Sequence, residues 1–330
     1  MNHLITKHGK KFFEAPVKEV LHHLSGLNRK TISTNPSKLQ LSNKVSNIPD
    51  ELFLIVKNGT TARYPIRESF LKKLMRWYKL SEHITDKLNP GTIVAVGNDF
   101  LSNIKSSSVN IKIEDGDALT ILSPKYSEFT DKDLLEICSE RLDIKTVSRD
   151  DFAMRVYSED KVKLQPVPGD ECGFGFNVFN SETGFMAIQV AHYIMRYVCS
   201  NGAIVRTRLN DTPVYHYNQT RTKIIEYISK GIKSIEENRE VVIKKLSGLK
   251  DKPALETLKT IKMQLGSIIG LTEASALIMD FTNYAQENDN HNEYQNDLYS
   301  LFNFITHNAK NRSIMQRIQM EEFAGKLILN

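Results

Sequence analysis

The sequence predicts an α+β protein, a mixed, mainly antiparallel sheet domain followed by a helical C-terminal domain. Three observations carry this. Up to Tyr217, short β-branched and aromatic runs alternate with Gly, Asn, Asp and Ser turns. After Tyr217, apolar residues recur at three- and four-residue steps over long stretches. The chain has 330 residues, more than one ordinary core, and its 40% hydrophobic content supplies the apolar area for two packed units. The expected divisions are a basic, loosely ordered arm over residues 1–47, an α+β core over 48–217 and a helical domain over 218–330.

The arm is polar, as in Thr31-Ile32-Ser33-Thr34-Asn35-Pro36-Ser37, with one short helical pattern over residues 16–24. Leu52-Phe53-Leu54-Ile55-Val56 is the first strong strand. Asn58-Gly59, a pair that tolerates positive φ, turns it into a second strand over 62–66. Over 67–80, Phe70, Leu71, Leu74, Trp77 and Tyr78 mark one face of a helix, and Lys72, Lys73, Arg76 and Lys79 fall on the other. Strands are expected at Ile93-Val94-Ala95-Val96, at Val109-Asn110-Ile111-Lys112-Ile113 and at Leu119-Thr120-Ile121-Leu122, the last two joined by Asp115-Gly116-Asp117. Thr130 or Asp131 caps a helix over 132–142, and strands over 152–157 and 174–179 flank Pro166-Val167-Pro168-Gly169. Ala187, Val190, Ala191, Ile194 and Met195 describe a helical stripe ending near Cys199, with Asn201-Gly202 as its stop. Beyond 217, one helical stripe runs from Ile224 to Leu246 and another from Leu255 to Leu271, parted by Lys252-Pro253. Two more helices are expected over 295–307 and 312–329, after a polar break at 287–292.

Three segments carry a resemblance. Ala118-Leu119-Thr120-Ile121-Leu122-Ser123-Pro124-Lys125-Tyr126 is followed by Asp133-Leu134-Leu135. Asn180-Ser181-Glu182-Thr183-Gly184 is followed by Arg196-Tyr197-Val198-Cys199-Ser200-Asn201-Gly202. Asp297-Leu298-Tyr299-Ser300-Leu301-Phe302-Asn303-Phe304-Ile305-Thr306 is followed by Ala324-Gly325-Lys326-Leu327-Ile328. In this order they resemble the phage/plasmid-like domain-of-unknown-function family 932, over about residues 50–330. Pro124-Lys125 departs from the family pattern, which has a charged residue ahead of Arg-Tyr. The resemblance implies a phage or plasmid setting, hence replication, recombination or contest with host defence, and carries no activity of its own.

Charge is unevenly spread. Residues 1–80 hold 15 Lys/Arg against 5 Asp/Glu, whereas 111–143 hold 4 against 9, a polarity that steers a polyanion or pairs copies of the chain. No run reaches the roughly 20 apolar residues of a membrane span, and the first residues lack a signal peptide's apolar stretch, so a cytoplasmic protein without membrane contact is expected. Three widely spaced cysteines, Cys138, Cys172 and Cys199, suit buried thiols in a reducing compartment.

The cations Lys72, Lys73, Arg76 and Lys79, beside Trp77 and Tyr78, are one candidate phosphate-binding set, and Arg196, Arg206 and Arg208 are another, through their forked guanidinium donors. Asp143 or Asp151 with Glu159-Asp160-Lys161 could hold a divalent ion, though such charge-rich segments are commonly surface loops. No cysteine or histidine pair has zinc spacing, no phosphate-binding glycine loop or serine-hydrolase elbow occurs, and no cofactor or catalytic residue is assigned. The expected function is a non-enzymatic, DNA-binding homo-oligomer of a phage or mobile element, acting on single-stranded DNA in annealing or recombination. The alternatives are a metal-dependent nuclease or other phosphodiester enzyme, and an interaction protein that blocks a host defence factor.

Overall fold

The computed structural model describes residues 6–44, 51–80, 85, 87–197, 201–205, 213–286 and 295–329. The first half runs β1 (Phe12–Ala15), α1 (Val17–Gly26), β2 (Arg29–Thr34), β3 (Leu39–Ser42), β4 (Phe53–Asn58), β5 (Thr60–Pro65), α2 (Glu68–Trp77), α3 (Pro90–Ser102), β6 (Val109–Glu114), β7 (Asp117–Leu122) and α4 (Asp131–Arg141). Then come β8 (Ile144–Arg149), β9 (Met154–Val167), β10 (Asp170–Asn180), β11 (Gln189–Arg196) and β12 (Asn201–Val205). The helices α5 (Arg221–Ser247), α6 (Leu258–Ile269), α7 (Leu271–Gln286), α8 (Leu298–Ala309) and α9 (Ile314–Leu329) complete the chain. This is the α+β order expected, strand-rich first and helical last.

The strands form a six-stranded sheet in the order β1-β8-β9-β10-β11-β12 and two three-stranded sheets, β2-β6-β7 and β3-β4-β5, with antiparallel pairing throughout. Turn chemistry sets the hairpins. Gly59 has φ +78°, and Asp115 and Gly116 have φ +51° and +89°, positive at both central residues as a two-residue hairpin turn requires. The small sheets enclose one core with α2 and α3, around Leu41, Leu54, Phe70, Leu74, Ile93 and Ile111. The large sheet is covered on one face by α1, α4 and α5, and the later helices extend that cluster. Its other face carries Tyr157, Phe179, Ala191, Tyr193 and Ile204 against Ile314 and Ile318 of α9.

Three expectations are corrected. The arm over 1–47 is not loose where it is described: β1 pairs with β8, β2 with β6 and β3 with β4, so it supplies a strand to every sheet. Its polar sequence is that of edge strands, which need few apolar side chains. Ile93-Val94-Ala95-Val96 lies within α3, because Asn89 caps the helix by accepting from Thr92 N at 2.9 Å and Pro90 occupies the first turn. Asn98 then fastens it to β3 by bonding the backbone of Leu41 in both directions.

The stripe from Ala187 to Met195 is strand β11, and Gly202 lies in β12 instead of ending a helix. Residues four apart share a face in a helix and also in a strand, and burial on both faces removed the alternation that would separate the two. The helices after 217 share one hydrophobic cluster with the sheet, with Ile224 and Ile228 joining Val190 and Val178. The break over 287–292 and Cys199 lie outside the described residues, while Cys138 and Cys172 are buried thiols that burial pushes up to about 12. No helix among the described residues is long and apolar enough to cross a membrane.

Candidate nucleic-acid interface

The turn after β10 organises the centre of the molecule. Asn180, Ser181, Glu182 and Thr183 are all buried. Ser181 Oγ donates to Phe152 O at 2.6 Å and accepts from Phe185 N at 2.9 Å, while Thr183 Oγ1 donates to Asp151 O at 2.9 Å. Glu182 accepts a forked pair from Arg29 at 3.1 and 2.9 Å and a further bond from Arg149 Nη2 at 3.4 Å. Arg149 also donates to Asp131 at 2.9 Å, and Glu114 accepts from Arg67 at 2.7 Å and from Arg29 at 2.9 Å.

Burial alone would raise Glu114, but the guanidinium groups of Arg149, Arg29 and Arg67 bring its carboxyl to about 2. Asp131 goes the other way. Burial and the adjacent Glu182 carboxylate hold its proton well above the usual carboxylate range.

Of the cations singled out in the sequence, Lys72, Lys73, Arg76 and Arg196 have partners within the fold. Lys72 pairs with Glu68 at 2.5 Å, one turn back. Lys73 is buried, donates to Gly184 O and lies 5.4 Å from the Phe185 ring centroid. Arg76 donates to Phe185 O at 2.9 Å. Together Lys73 and Arg76 bind α2 to the turn, Lys73 buried beneath it and Arg76 exposed at its edge. Lys79, at φ +57° just past the helix, is exposed. Arg196 donates to Asp170 at 2.5 Å, which also accepts from Tyr299 Oη at 2.7 Å. Arg206 and Arg208 lie outside the described residues.

A different surface gathers exposed rings and cations. Residues 213–219 run beside 125–127: Ser127 N donates to His216 O at 3.1 Å, Asn218 N to Lys125 O at 3.2 Å and Gln219 N to Ser127 Oγ at 2.7 Å. The period of two in Tyr215-His216-Tyr217 turns His216 inward and leaves the tyrosines outside, 67% and 49% exposed. His216 stacks on Tyr126 with centroids 4.8 Å apart and planes at 6°, and the Lys112 ammonium lies 5.8 Å from the Tyr126 centroid. Tyr126 Oη donates to Ser181 O at 2.7 Å, tying the stack to the turn. Lys125 reaches to 5.8 Å from the Tyr217 centroid. Gly184, at φ +76°, permits this packing, since a Cβ there would press on the Tyr126 ring at 3.3 Å and on the Lys73 ammonium.

A cleft of about 340 Å³ opens between β2, β6 and the turn, lined by Arg29, Lys30, Lys112, Glu114, Glu128 and Glu182. Glu114 and Glu182 are paired with arginines, and Lys112 pairs with the third carboxylate of the cleft, Glu128, at 3.4 Å. Sequence reasoning missed this surface because Lys125 and Tyr126 lie far along the chain from Tyr215 and Tyr217. The alternation Tyr215-His216-Tyr217 was the available signal.

Glu159, the carboxylate of the nuclease reading, lies on another face, where burial raises it; Lys145 and Asp143 stand near it. Asp151 is held elsewhere by Arg67 Nη1 and Gly9 N, both at 2.9 Å, and the side chains of Asp160 and Lys161 lie outside the described residues. Among the described residues no three His, Cys, Asp or Glu side chains are placed to share a metal ion. No family model, no curated protein and no solved structure matches this chain.

The buried histidines make acid stability a direct test of the packing. Burial lowers His216, and equally His192 in the large sheet, from 6.5 to about 4. The unfolded chain takes up these protons near pH 6.5, so stability is lost as pH falls from there to about 4. The loss is about 3 kcal/mol per histidine at about 1.4 kcal/mol per pH unit. Urea midpoints should fall over that window, and His216→Gln should remove roughly half of the histidine contribution. An unchanged pH profile in that variant would mean that the ring is not held neutral.

Proposed function

We propose that this chain is a non-enzymatic protein that binds single-stranded DNA across the Tyr215 and Tyr217 surface, in the annealing or recombination work of a phage or mobile element. The observation that carries the reading is the pair of exposed rings beside Lys125, seated on the Tyr126–His216 stack. Bases of any sequence stack on such rings, and Lys125, beside Tyr217, is a cation suited to a phosphate of the same strand. The segment resemblance supplies the phage or plasmid setting, and several copies of the chain along one strand would give a homo-oligomeric coat.

Fluorescence anisotropy with a labelled oligo-dT tests it. Binding at micromolar protein and low salt is expected, weakening as salt rises. Tyr217→Ala should cost about 1–3 kcal/mol of binding, the range for one lost stacking contact. Lys125→Ala should flatten the salt dependence by roughly one counterion. Absence of binding at low salt, or full affinity in a Tyr215→Ala/Tyr217→Ala double variant, would overturn the reading.

A further inference from the structure

The small sheet β3-β4-β5 has one face in the core and one face left over. Alternation along the strands sends Leu39, Leu41, Leu54 and Val56 inward, where they join the cluster of α2 and α3. The register therefore puts Gln40 of β3, Phe53, Ile55 and Lys57 of β4, and Thr61 and Arg63 of β5 on the other face. Phe53 and Ile55 are only half-buried and belong to no hydrophobic cluster among the described residues. Gln40, Lys57, Thr61 and Arg63 are exposed.

The charge of this face has one sign. None of the three strands contains Asp or Glu, and their only charged residues are Lys57 and Arg63. Lys57 stands opposite Thr61 and Arg63 opposite Ile55, so the two cations are diagonal neighbours on adjacent strands, about 7–8 Å apart. Lys38, just before β3, is a third exposed cation, and it reaches Asn58 beside Lys57. The bonds these lysines make are to neutral groups: Lys57 Nζ donates to Gln40 Oε1 at 3.0 Å and Lys38 Nζ to Asn58 Oδ1 at 3.2 Å. Glu51, two residues before β4, is buried and held by Lys7 at 3.7 Å. Like charges close together on a strand pair are destabilising, so a cluster kept without a carboxylate points to an anion from outside the chain.

The apolar pair narrows the choice. A small inorganic anion would be held by the cations alone and would leave Phe53 and Ile55 in water. A duplex keeps its bases away from a flat surface. A single strand offers both parts, phosphates for the cations and unpaired bases for an aromatic ring on a sheet, the arrangement by which sheet platforms bind single strands.

We propose that the outward face of β3-β4-β5 is a second contact for a single nucleic-acid strand, with Lys57 and Arg63 meeting its phosphates and Phe53 carrying a base. This rests on the reading above in taking single-stranded DNA as the ligand, and it uses residues separate from Tyr215 and Tyr217.

Photocrosslinking of oligo-dT carrying 4-thiothymidine, read by mass spectrometry, tests the assignment. Crosslinks are expected within 53–63 as well as at 215–217. Lys57→Gln with Arg63→Gln should remove the former, keep the latter and flatten the slope of log affinity against log salt by about 1.4, two phosphates at about 0.7 each. Phe53→Leu keeps an apolar side chain on β4 and should weaken binding by about fivefold with the slope unchanged, which a loss of fold would not do. The two surfaces can fail separately. Crosslinks confined to 215–217, or a salt slope untouched by the Lys57 and Arg63 changes, would overturn the sheet face alone. Crosslinks confined to 53–63, with full affinity in Tyr215→Ala/Tyr217→Ala, would uphold it and overturn the Tyr217 surface. Unchanged DNA binding with self-association lost in sedimentation would give the face to a second copy of the chain and overturn the proposal.

Discussion

Glu182→Ala is expected to lower the stability of the folded chain by about 3–5 kcal/mol, the range for stripping one partner from a buried ion network. Glu182 is 5% exposed and Arg149 2% exposed, and the lost carboxylate would strip Arg149 Nη2 of its 3.4 Å bond and Arg29 of its forked pair, leaving Asp131 and Glu114 to hold both guanidinium groups. Water from the cleft that Arg29 and Glu182 line can solvate Arg29, so the cost falls mainly on the buried Arg149.

Asp131→Asn is the control. Burial and Glu182 favour the protonated form of Asp131, so asparagine keeps a neutral group whose oxygen accepts from Arg149 while Asn180 Nδ2 loses its acceptor, and a loss of about 1.5 kcal/mol is expected. The pH dependence separates the two variants. A raised folded-state carboxyl takes stability away as pH climbs above 3.8, and Asp131→Asn should cancel that decline. Glu114, held at about 2, contributes stability above 4.5 that is lost as pH falls toward 2, in both backgrounds. Urea titrations across pH would show both signs. Equal losses for Glu182→Ala and Asp131→Asn would mean that the network does not divide its charge in this way.

How much of this was legible in the sequence depended on whether the causes were local. The Asn58-Gly59 and Asp115-Gly116 turns, the Thr130 cap and the long apolar stripe of α5 are set by neighbours in the chain, and each stands where the pattern placed it. The stripe Ala274, Leu277, Ile278 and Phe281 of α7 is equally local. What failed was non-local. Arg29–Thr34 looks polar because its pairing with β6 comes from 80 residues along the chain, and Lys73 looks free because Gly184 reaches it from another hairpin. The candidate surface suffers most, since Lys112, Lys125 and Tyr217 come from three segments that only the closed fold brings together. The signature turn was visible as a turn, and its charge network was not, because the partners Arg29, Arg67 and Arg149 carry no common spacing.

Gly325→Ala is expected to destabilise the chain although it improves helix propensity, and Gly325→Val to cost about 3 kcal/mol or more. Gly325 lies where α9 crosses β12. A Cβ there would run into the carbonyl of Ile204 and come within 3.2 Å of Val205 Cα. Those atoms are backbone held in a sheet, so no rotamer change relieves the overlap and the helix must move.

Gly26, at the end of α1, shows what the same change does without a neighbour. No atom lies within 4 Å of its missing Cβ, and Gly26→Ala should stabilise by about 0.4–1 kcal/mol by restricting the unfolded chain. Opposite signs for one substitution at two helical positions would isolate close packing as the cause, and equal signs would refute it. The displacement of α9 also reaches the sheet face, because Glu321, one turn before Gly325, accepts from Arg155 at 2.7 Å and from Arg317 at 2.9 Å. Moving Glu321 releases the arginine that flanks Tyr193.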